Sequence, residues 1–534
     1  MSAQHDGHAQ HAIAAADPRR WWALGAVCVA TFMLLLDITV VNVALPDISK
    51  DLGAGFGDLQ WVIDAYALSL ASFTLTMGSL ADRYGRRLVF TGGLVVFTLA
   101  SALCGLATSS LFLILARGLQ GVGGAAMFAT SLALLAANFS GRERGTAFGL
   151  WGATTGGAVA IGPLVGGILV TAVSWQSIFY VNIPVGIAAV AVALTRVPES
   201  RNPAAGRVDI PGLVTLVVGL SSLVFALVRG NTEGWSSTVI VTALAVAAVM
   251  LVAFVLIELR AREPMLDLRL FRIPSFTGAQ VAAFGLSSSM FAMFLYLTLY
   301  IQNGLGFSPL EAGVRFLAIT LLSFIAAPIS GRLSARVPTR WLIGGGLTLV
   351  GLGLLAMRGL TADSTWTALL LGFAVAGLGI GLTNPPLAST AVGVVPPWRA
   401  GVASGINSTF RQVGIATGTA ALGAIFAGRL TPKLDAAFAQ AGPAVQRVAA
   451  HVPDTVFQSG GSGPFPRGSA GQQAALTAFT GALNDILLVG GVTALVSAAL
   501  VVVLIHPRDF VPAGAPEAQD APASVAGTAE PARP

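Results

Sequence analysis

The chain has 534 residues, of which 55% are hydrophobic and only 10% are charged. Soluble domains carry about 25% charged residues, so this composition excludes an ordinary soluble domain and indicates a membrane protein with many spans. The net charge of +6 does not indicate nucleic-acid binding, because the arginines lie in short segments between apolar runs. Cys28 and Cys104 both lie in apolar runs, which argues against a disulfide framework or a cysteine metal site. We expect neither a metal nor a cofactor.

Apolar runs long enough to cross a bilayer as helices recur along the chain. Each run is continuously apolar, which favours helices over the strands of a barrel. We count fourteen runs, with the approximate bounds 22–45, 59–80, 88–107, 111–136, 145–171, 178–196, 210–229, 238–258, 276–301, 312–335, 340–358, 366–391, 401–427 and 483–505. The sequence therefore predicts an all-α integral membrane protein.

Basic residues are distributed unequally between the connections. Those after even-numbered runs carry sixteen arginines, whereas the short connections after odd-numbered runs carry three basic residues. Because basic residues are retained on the cytoplasmic side, we predict that both termini are cytoplasmic in a multi-pass protein of the cell membrane.

The ends of the chain and one connection differ in composition from the rest. Residues 1–20 are polar and lack a signal-peptide core, so we interpret them as a cytoplasmic tail. Residues 507–534 are rich in proline and alanine, which predicts a disordered cytoplasmic tail. Residues 428–482 contain a glycine- and serine-rich piece, which predicts a long and flexible external loop.

An internal repeat divides the chain. Residues 78–83 are echoed by residues 331–336, and residues 145–150 are echoed by residues 401–406, with a shift of eight spans in both cases. This pattern predicts two six-helix halves separated by two linker helices with almost no charge in their middles. Repeated halves place a substrate site near the midplane, at their interface. The predicted boundaries are 21–200 for the first half, 201–272 for the linker and its cytoplasmic loop, and 273–506 for the second half.

Asp37 is the only carboxylate between Trp22 and Ala44. A carboxylate inside a span costs about 2.5–3.5 kcal/mol on insertion scales, and such groups most often carry an ion or a proton. The alternative is a structural aspartate that is hydrogen-bonded to a neighbouring helix.

Two more charged residues are predicted at a similar depth. Asp64 in span 2 and Arg117 in span 4 lie, like Asp37, roughly 8–14 Å below the outer boundary at 1.5 Å per residue. We hypothesise that the three residues form one cluster. Burial and a neighbouring arginine act in opposite directions on a carboxyl group, so protonation there would depend on conformation. The alternative for Asp64 is a residue near the interface that touches water.

The connection between spans 2 and 3 contains Gly78, Asp82, Arg83, Gly85 and Arg87. The glycines permit close approach and a tight turn. Asp82 can face a helix N-terminus and pair with an arginine. This connection could latch the cytoplasmic side during a conformational cycle, or it could be only a positively charged anchor.

Span 5 contains Gly157, Gly162, Pro163 and Gly166. Glycines four residues apart give a smooth face for another helix, and proline removes a backbone donor. Generic packing of small residues is the alternative.

Span 13 contains Arg411 near mid-membrane, one turn after Asn407. An arginine at this depth should line the cavity or pair with an acid, and the alternative is a structural tie between helices. The candidate cavity residues are Asn42, Phe291, Tyr296, Asn407 and Arg411.

Six motifs, in order, resemble those of the major facilitator superfamily, specifically its fourteen-span drug–proton antiporters. They are LDITVVNVALP, GSLADRYGRR, RGLQGVGGAA, GGAVAIGPLVGG and the stretches Trp175–Gly186 and Arg399–Gly414. The resemblance covers residues 20–506 and implies the major facilitator fold.

The resemblance also implies roles for particular residues. It implies Asp37 and Arg117 in proton coupling, Asp82, Arg83 and Arg87 in the latch, and Gly162, Pro163 and Gly166 in the antiporter helix. The second-half echo departs from the pattern, because Ala335 replaces the acid of the latch.

We therefore predict an antiporter that exports a lipophilic small molecule in exchange for protons. Its partners would be the substrate, protons and the lipid bilayer, without nucleic acid, and we expect a monomer. A proton-coupled uptake symporter is the alternative, followed by a sensor or assembly partner that does not transport. A membrane enzyme would need a catalytic set in an aqueous loop, and the sequence contains none that we identify. The substrate stays open: carboxylates in the cavity favour cations, and Arg117 and Arg411 weaken that inference.

Overall fold

The structure is a computed structural model of the chain. It describes residues 19–139, 141–201, 209–261, 264, 266–441, 456, 461, 465–466 and 468–511. The side chains of Asn42 and Pro163 lie outside the described residues, although both positions are helical.

The described part of the chain is almost entirely helical, with fourteen long helices. They are α1 (Arg19–Leu52), α2 (Phe56–Tyr84), α3 (Arg86–Gly105), α4 (Ser110–Asn138), α5 (Gly141–Ala172), α6 (Ser177–Arg196, interrupted at Val181), α7 (Ile210–Glu233), α8 (Thr238–Arg260), α9 (Pro274–Gly304), α10 (Pro309–Leu333), α11 (Thr339–Ala356), α12 (Leu370–Gly393), α13 (Ala400–Ala441) and α14 (Ala470–Leu504).

Twelve helices within the described ranges are long and apolar enough to cross a membrane. Helices α2 and α5 correspond to predicted spans 2 and 5, but they are not among the twelve. The all-helical, multi-span prediction is therefore confirmed. The count of fourteen spans is not confirmed and stays a prediction.

Sequence signals at the helix ends explain several of the turns. Gly85, between α2 and α3, has a φ of 124°, which side chains other than glycine rarely permit. An added Cβ there would also lie 2.6 Å from the carboxyl carbon of Glu199. At the start of α10, Ser308 accepts the Glu311 N–H, and the Glu311 carboxylate accepts the Ser308 N–H, which forms a capping box.

Buried apolar side chains form two large clusters. One joins α9 to α14 around residues such as Phe373 and Phe426. The other joins α1 to α8 and includes residues from the end of α12 and the beginning of α13. The domain boundaries given above stay predictions.

The two repeated glycine motifs meet across the molecule. An added Cβ on Gly78 of α2 would overlap the carbonyl of Gly401 on α13, and one on Gly331 of α10 would overlap the carbonyl of Gly145 on α5. The 78–83 motif of the first repeat thus packs against the 401–406 motif of the second. In the same way, the 331–336 motif of the second repeat packs against the 145–150 motif of the first. We call the end of the bundle that contains the α2–α3 turn the latch end, and the opposite end the far end.

The predicted external loop 428–482 is shorter in the structure. Helix α13 continues to Ala441, and α14 already begins at Ala470. Leu430, Leu434 and Phe438 recur at four-residue spacing and are all buried, so they form an apolar stripe that keeps α13 helical beyond its predicted end. The Gly/Ser-rich piece at 459–463 lies outside the described residues except for Gly461.

The first predicted linker helix makes polar contacts on two sides. Arg229 of α7 donates to the Gln60 Oε1 atom of α2 at 2.9 Å, and the Asn231 amide donates to the Ala420 carbonyl of α13 at 3.0 Å. Helix α7 therefore connects two helices from opposite repeats.

Candidate functional site

Asp37 and Arg117 form an ion pair between α1 and α4. Arg117 Nη1 donates to Asp37 Oδ2 at 2.5 Å, and the two residues are only 2% and 1% exposed. The guanidinium lies over the Tyr66 ring, 4.2 Å from its centroid, and its Nε donates to the Val62 carbonyl at 3.2 Å. The structure thus confirms the predicted meeting of Asp37 with Arg117.

Two amides complete this site. Gln120 Nε2 donates to Asp37 Oδ1 at 2.9 Å, while its Oε1 accepts from Arg117 at 2.8 Å. Asn182 of α6 donates to the same Asp37 oxygen at 3.2 Å and to Ser101 at 3.0 Å. Both carboxylate oxygens are therefore satisfied, as a buried charge requires.

Asp64 does not join this cluster. Its carboxylate lies 3.9 Å from Arg229 of α7, in a position where both side chains are partly exposed. The Tyr66 ring faces Arg117, and two residues along a helix correspond to a rotation of about 200°, so Asp64 points to the other side of α2. The predicted cluster of three residues is wrong in this respect, and a role of Asp64 in coupling stays untested.

The glycines of α5 pack against the helix that carries Asp37. An added Cβ on Gly162 would overlap the Thr39 side chain, and one on Gly166 would lie 3.3 Å from Val40. Gly157 instead faces Phe324 of α10, at an ordinary contact distance of 3.7 Å. Helix α5 therefore lies between α1 and α10, with close contact to the turn that contains Asp37.

Asp82 holds the latch end through a different arginine from those predicted. The backbone N–H groups of Gly401 and Val402, at the start of α13, each donate to its carboxylate at 2.8 Å. The ion-pair partner is Arg86, one turn along, which also donates to the Pro397 carbonyl at 2.6 Å. An anion at a helix N-terminus is a favourable arrangement, and here it joins the two repeats.

Of the two arginines predicted for the latch, Arg87 contacts residues of the first repeat, and a role of Arg83 in the latch stays a prediction. Arg87 lies 3.8 Å from the Glu199 carboxylate, which also accepts the Arg87 N–H, so this contact stays within the first repeat. Arg83 is half-buried on α2. Arg86 lies in the same motif, and its i+4 spacing from Asp82 is the signal that could have identified it.

A loop carboxylate supports the same end of the molecule. Arg399, just before α13, donates to Asp267 at 2.7 Å. Partial burial opposes ionisation of this carboxyl, but the Arg269 N–H and the Arg399 guanidinium outweigh it and hold the pKa of Asp267 below its ordinary value.

Arg411 of α13 is buried among amides rather than acids. Its Nη1 donates to Asn384 Oδ1 at 3.0 Å, and its Nε donates to Asn407 Oδ1 at 3.3 Å. The Asn407 amide in turn donates to Gln280 at 3.2 Å. The sequence predicts that Arg411 lines the cavity or pairs with an acid, or else that it ties helices together. No acid within the described ranges pairs with it, which leaves the cavity and the structural tie as the two interpretations.

A small cavity of about 20 Å³, enough for roughly one water molecule, lies between the repeats, next to this network. Its lining residues come from α5, α9, α10 and α12, and they are Thr155, Gly156, Phe291, Phe294, Ile319, Thr320, Ser323, Ile380 and Asn384. Phe291 ends a π-helical turn of α9, a local irregularity that often marks functional positions.

Helix α12 brings Asn384 to this cavity through a local break in its hydrogen bonds. Pro386 has no N–H, so the Leu382 carbonyl lacks its normal helical partner. Ser330 of α10 supplies the missing donor at 2.6 Å. Gly381 permits the close approach, since an added Cβ there would lie 2.5 Å from the Ser323 carbonyl.

Of the other cavity candidates, Tyr296 does not line this space. Its hydroxyl donates to the Thr419 carbonyl at 2.8 Å, and its ring stacks on Phe426 in the core of the second repeat. The side chain of Asn42 lies outside the described residues. Gln120, Asn182, Ser323 and Asn384 were missed by the sequence reasoning, although each is a polar residue inside an apolar helix.

The described residues contain no group of three or more histidine, cysteine, aspartate or glutamate side chains that could hold a metal ion. The described helices instead contain the buried ion pair of Asp37 with Arg117 and the arginine–amide network of Arg411, with an inter-repeat cavity beside the network. Such a set can bind a proton and a small molecule.

Comparisons with known proteins agree with this architecture. The model of the Major Facilitator Superfamily matches residues 27–419. The multidrug resistance protein Stp of Mycobacterium tuberculosis is 39% identical over 406 residues, which cover 76% of this chain and 75% of that protein. The tetracenomycin C resistance and export protein of Streptomyces glaucescens is 34% identical over 517 residues, or 95% of this chain and 96% of that protein.

A solved structure shares the fold. The crystal structure of the human organic anion transporter MFSD10 (TETRAN) matches with a TM-score of 0.58 and 15% sequence identity, covering 90% of this chain and 100% of that chain.

Proposed function

Since the chain belongs to the major facilitator superfamily, a family of transporters rather than enzymes, we propose that it exports lipophilic small molecules across the cell membrane in exchange for protons. The names of its relatives support export rather than uptake. They include proteins for resistance to tetracenomycin C and puromycin and a cephamycin export protein. The arginine-rich even-numbered connections support cytoplasmic termini, and the proposed working unit is the monomer.

The buried pair of Asp37 and Arg117 is the observation that carries the proposal. An arginine stays charged at any physiological pH, so Asp37 is the member of the pair that can bind a proton. Protonation removes the ionic attraction, while Arg117 keeps its hydrogen bonds to Gln120 and the Val62 carbonyl. Proton binding at Asp37 would therefore loosen α1 from α4 without leaving the guanidinium unsatisfied.

A continuous set of close contacts leads from Asp37 to the other repeat. Gly162 and Gly166 of α5 abut Thr39 and Val40, so a displacement of α1 acts directly on α5. The same helix crosses α10 through Gly145 and Gly331. A shift at the proton site would thus be transmitted to a helix that lines the cavity.

The latch would set which side of the cavity opens. Asp82 holds the start of α13 by two backbone hydrogen bonds and is itself held by Arg86. The corresponding crossing of α5 with α10 has Ala335 in place of the acid. Opening of the latch end would therefore require these bonds at the α2–α13 crossing to break.

Efflux from energised cells tests this function. Cells that express the wild type or Asp37→Asn would be loaded with fluorescent lipophilic cations, anions and neutral compounds, with and without a protonophore. We expect the wild type to extrude at least one probe against its gradient, and both the protonophore and the substitution to abolish this. Asp363→Asn, at an exposed position of the far end, is the matched control and should behave as wild type. Uphill efflux by Asp37→Asn that remains sensitive to the protonophore would contradict the proposed role of Asp37.

A further inference from the structure

The cavity beside Arg411 has a polar wall that suits a particular class of substrate. Arg411 is 6% exposed, and its Nη2 atom has no partner among the described residues. Its two hydrogen-bond acceptors are the side-chain oxygens of Asn384 and Asn407, which carry no charge. A buried arginine without a counter-charge is costly, and it stays charged, so an anion nearby would be favoured.

Arg411 also fixes the direction of the Asn384 amide. A guanidinium can only donate hydrogen bonds, so the carbonyl oxygen of Asn384 must be the atom that faces it. The amino group of Asn384 is then left to donate elsewhere. Because Asn384 lines the cavity, the arginine turns this side chain into a donor for a bound molecule.

A second donor lies on the same cavity wall. Ser323 is 2% exposed and lines the cavity, and its hydroxyl has no hydrogen-bond partner among the described residues. The rest of the lining is mainly apolar and includes the rings of Phe291 and Phe294, whose centroids are 6.1 Å apart. The lining contains no carboxylate.

We infer that Asn384 and Ser323, with Arg411 behind them, form a subsite for the negatively charged oxygen of an aromatic anion. A carboxylate or phenolate would accept hydrogen bonds from both donors, and its charge would be the counter-charge that Arg411 lacks. In this conformation the cavity of about 20 Å³ holds only the anionic oxygen, and the aromatic body of the substrate would contact Phe291 and Phe294 once the repeats move apart. Arg411 is a positioning residue in this arrangement, since it acts through Asn384. The inference rests on the proposed transport function and specifies its preferred substrate class.

Binding to the purified full-length protein tests the charge preference. The probes are carboxyfluorescein, an anion, and tetramethylrhodamine methyl ester, a cation built on the same ring system. We expect the wild type to bind the anion more tightly, as measured by fluorescence anisotropy. Arg411→Gln should weaken anion binding about tenfold and leave cation binding unchanged or tighter. Arg411→Lys keeps the charge and should keep the preference for the anion.

Arg340→Gln, at the start of α11 and away from the cavity, is the matched control and should bind both probes as wild type does. Stronger binding of the cation by the wild type would overturn the inference, as would an equal loss of both probes in Arg411→Gln. Transport of the same probes in vesicles with an imposed pH gradient separates the two proposals. Uphill export of the cation alone would overturn the anion subsite and uphold proton-coupled export. Selective anion binding without uphill movement of either probe would uphold the subsite and contradict proton-coupled export.

Discussion

Two of the buried arginines, Arg117 and Arg411, lie in opposite environments. Arg117 faces a carboxylate at 2.5 Å, whereas Arg411 faces the side-chain oxygens of two asparagines at 3.0 and 3.3 Å. The charge of Arg117 is neutralised inside the protein by Asp37. When Asp37 binds a proton, the ionic attraction between the two side chains is lost. The charge of Arg411 is left without a carboxylate among the described residues, beside a cavity. From this difference we propose that the proton binds in the first repeat and that Arg411 of the second repeat acts in substrate recognition.

The largest expected effect concerns the stability of the two sites. Arg117→Gln would leave a buried Asp37 carboxylate without its counter-charge, which should cost about 3–5 kcal/mol of unfolding free energy. Arg411→Gln removes an unpaired charge and two hydrogen bonds, and its net cost should be within about 1–2 kcal/mol. Thermal unfolding in detergent compares the two variants. A greater loss of stability in Arg411→Gln than in Arg117→Gln would contradict the comparison.

The paired site should also be sensitive to the spacing between α1 and α5. Gly162→Ala inserts a methyl group against Thr39, and overpacking of this kind costs about 1–3 kcal/mol. We expect slower proton-driven export and a lower melting temperature. Gly167→Ala is the matched control, because an added Cβ there meets nothing within 4 Å. If Gly162→Ala and Gly167→Ala gave the same export rate and the same melting temperature, the contact between Gly162 and Thr39 would affect neither transport nor stability.

A carboxylate next to Arg411 would give this arginine the same kind of partner that Arg117 has. Asn384→Asp would place a carboxylate where Arg411 now has an amide oxygen at 3.0 Å. The new pair should neutralise the site and weaken binding of an aromatic anion about tenfold, equivalent to roughly 1.4 kcal/mol. Titration with carboxyfluorescein measures this change. Unchanged anion affinity would mean that the charge of Arg411 does not contribute to anion binding in the cavity.

The smallest expected effect is at the ion pair of Asp64 with Arg229. Asp64→Asn removes the ion pair with Arg229, which spans 3.9 Å and is partly exposed. Pairs in such positions contribute about 0–1 kcal/mol, so stability should change by less than that amount. Export assays should show little change. A complete loss of export in this variant would mean that Asp64 and α7 have a direct part in coupling.

Part of this account could be predicted from the sequence. The apolar runs predicted the helices, and the motifs with the depth argument brought Asp37 and Arg117 together. The glycines of span 5 predicted a smooth helix face, but not that α1 packs on it. These features are local, because helix length, depth and face follow from the order of residues in one segment.

Other features depend on how the helices are rotated against one another. Asp64 faces α7 rather than Arg117, because the position of a residue along a helix does not specify the side on which it lies. Arg411 was recognised, whereas its partner Asn384 lies on another helix and is a neutral amide without a motif that the reasoning used. Leu430, Leu434 and Phe438 carry a helical period, but a span of about twenty residues was expected to end before them.

Transport by the purified protein in proteoliposomes tests the central claim, the assignment of proton coupling to Asp37. Two assays use the same vesicles: substrate exchange without a pH gradient, and uphill accumulation driven by an imposed gradient. The wild type should perform both. Asp37→Asn should retain exchange, because the cavity beside Arg411 is intact, and should lose accumulation. If Asp37→Asn accumulated substrate as the wild type does, the proton would be bound elsewhere and the account of the first repeat would be wrong.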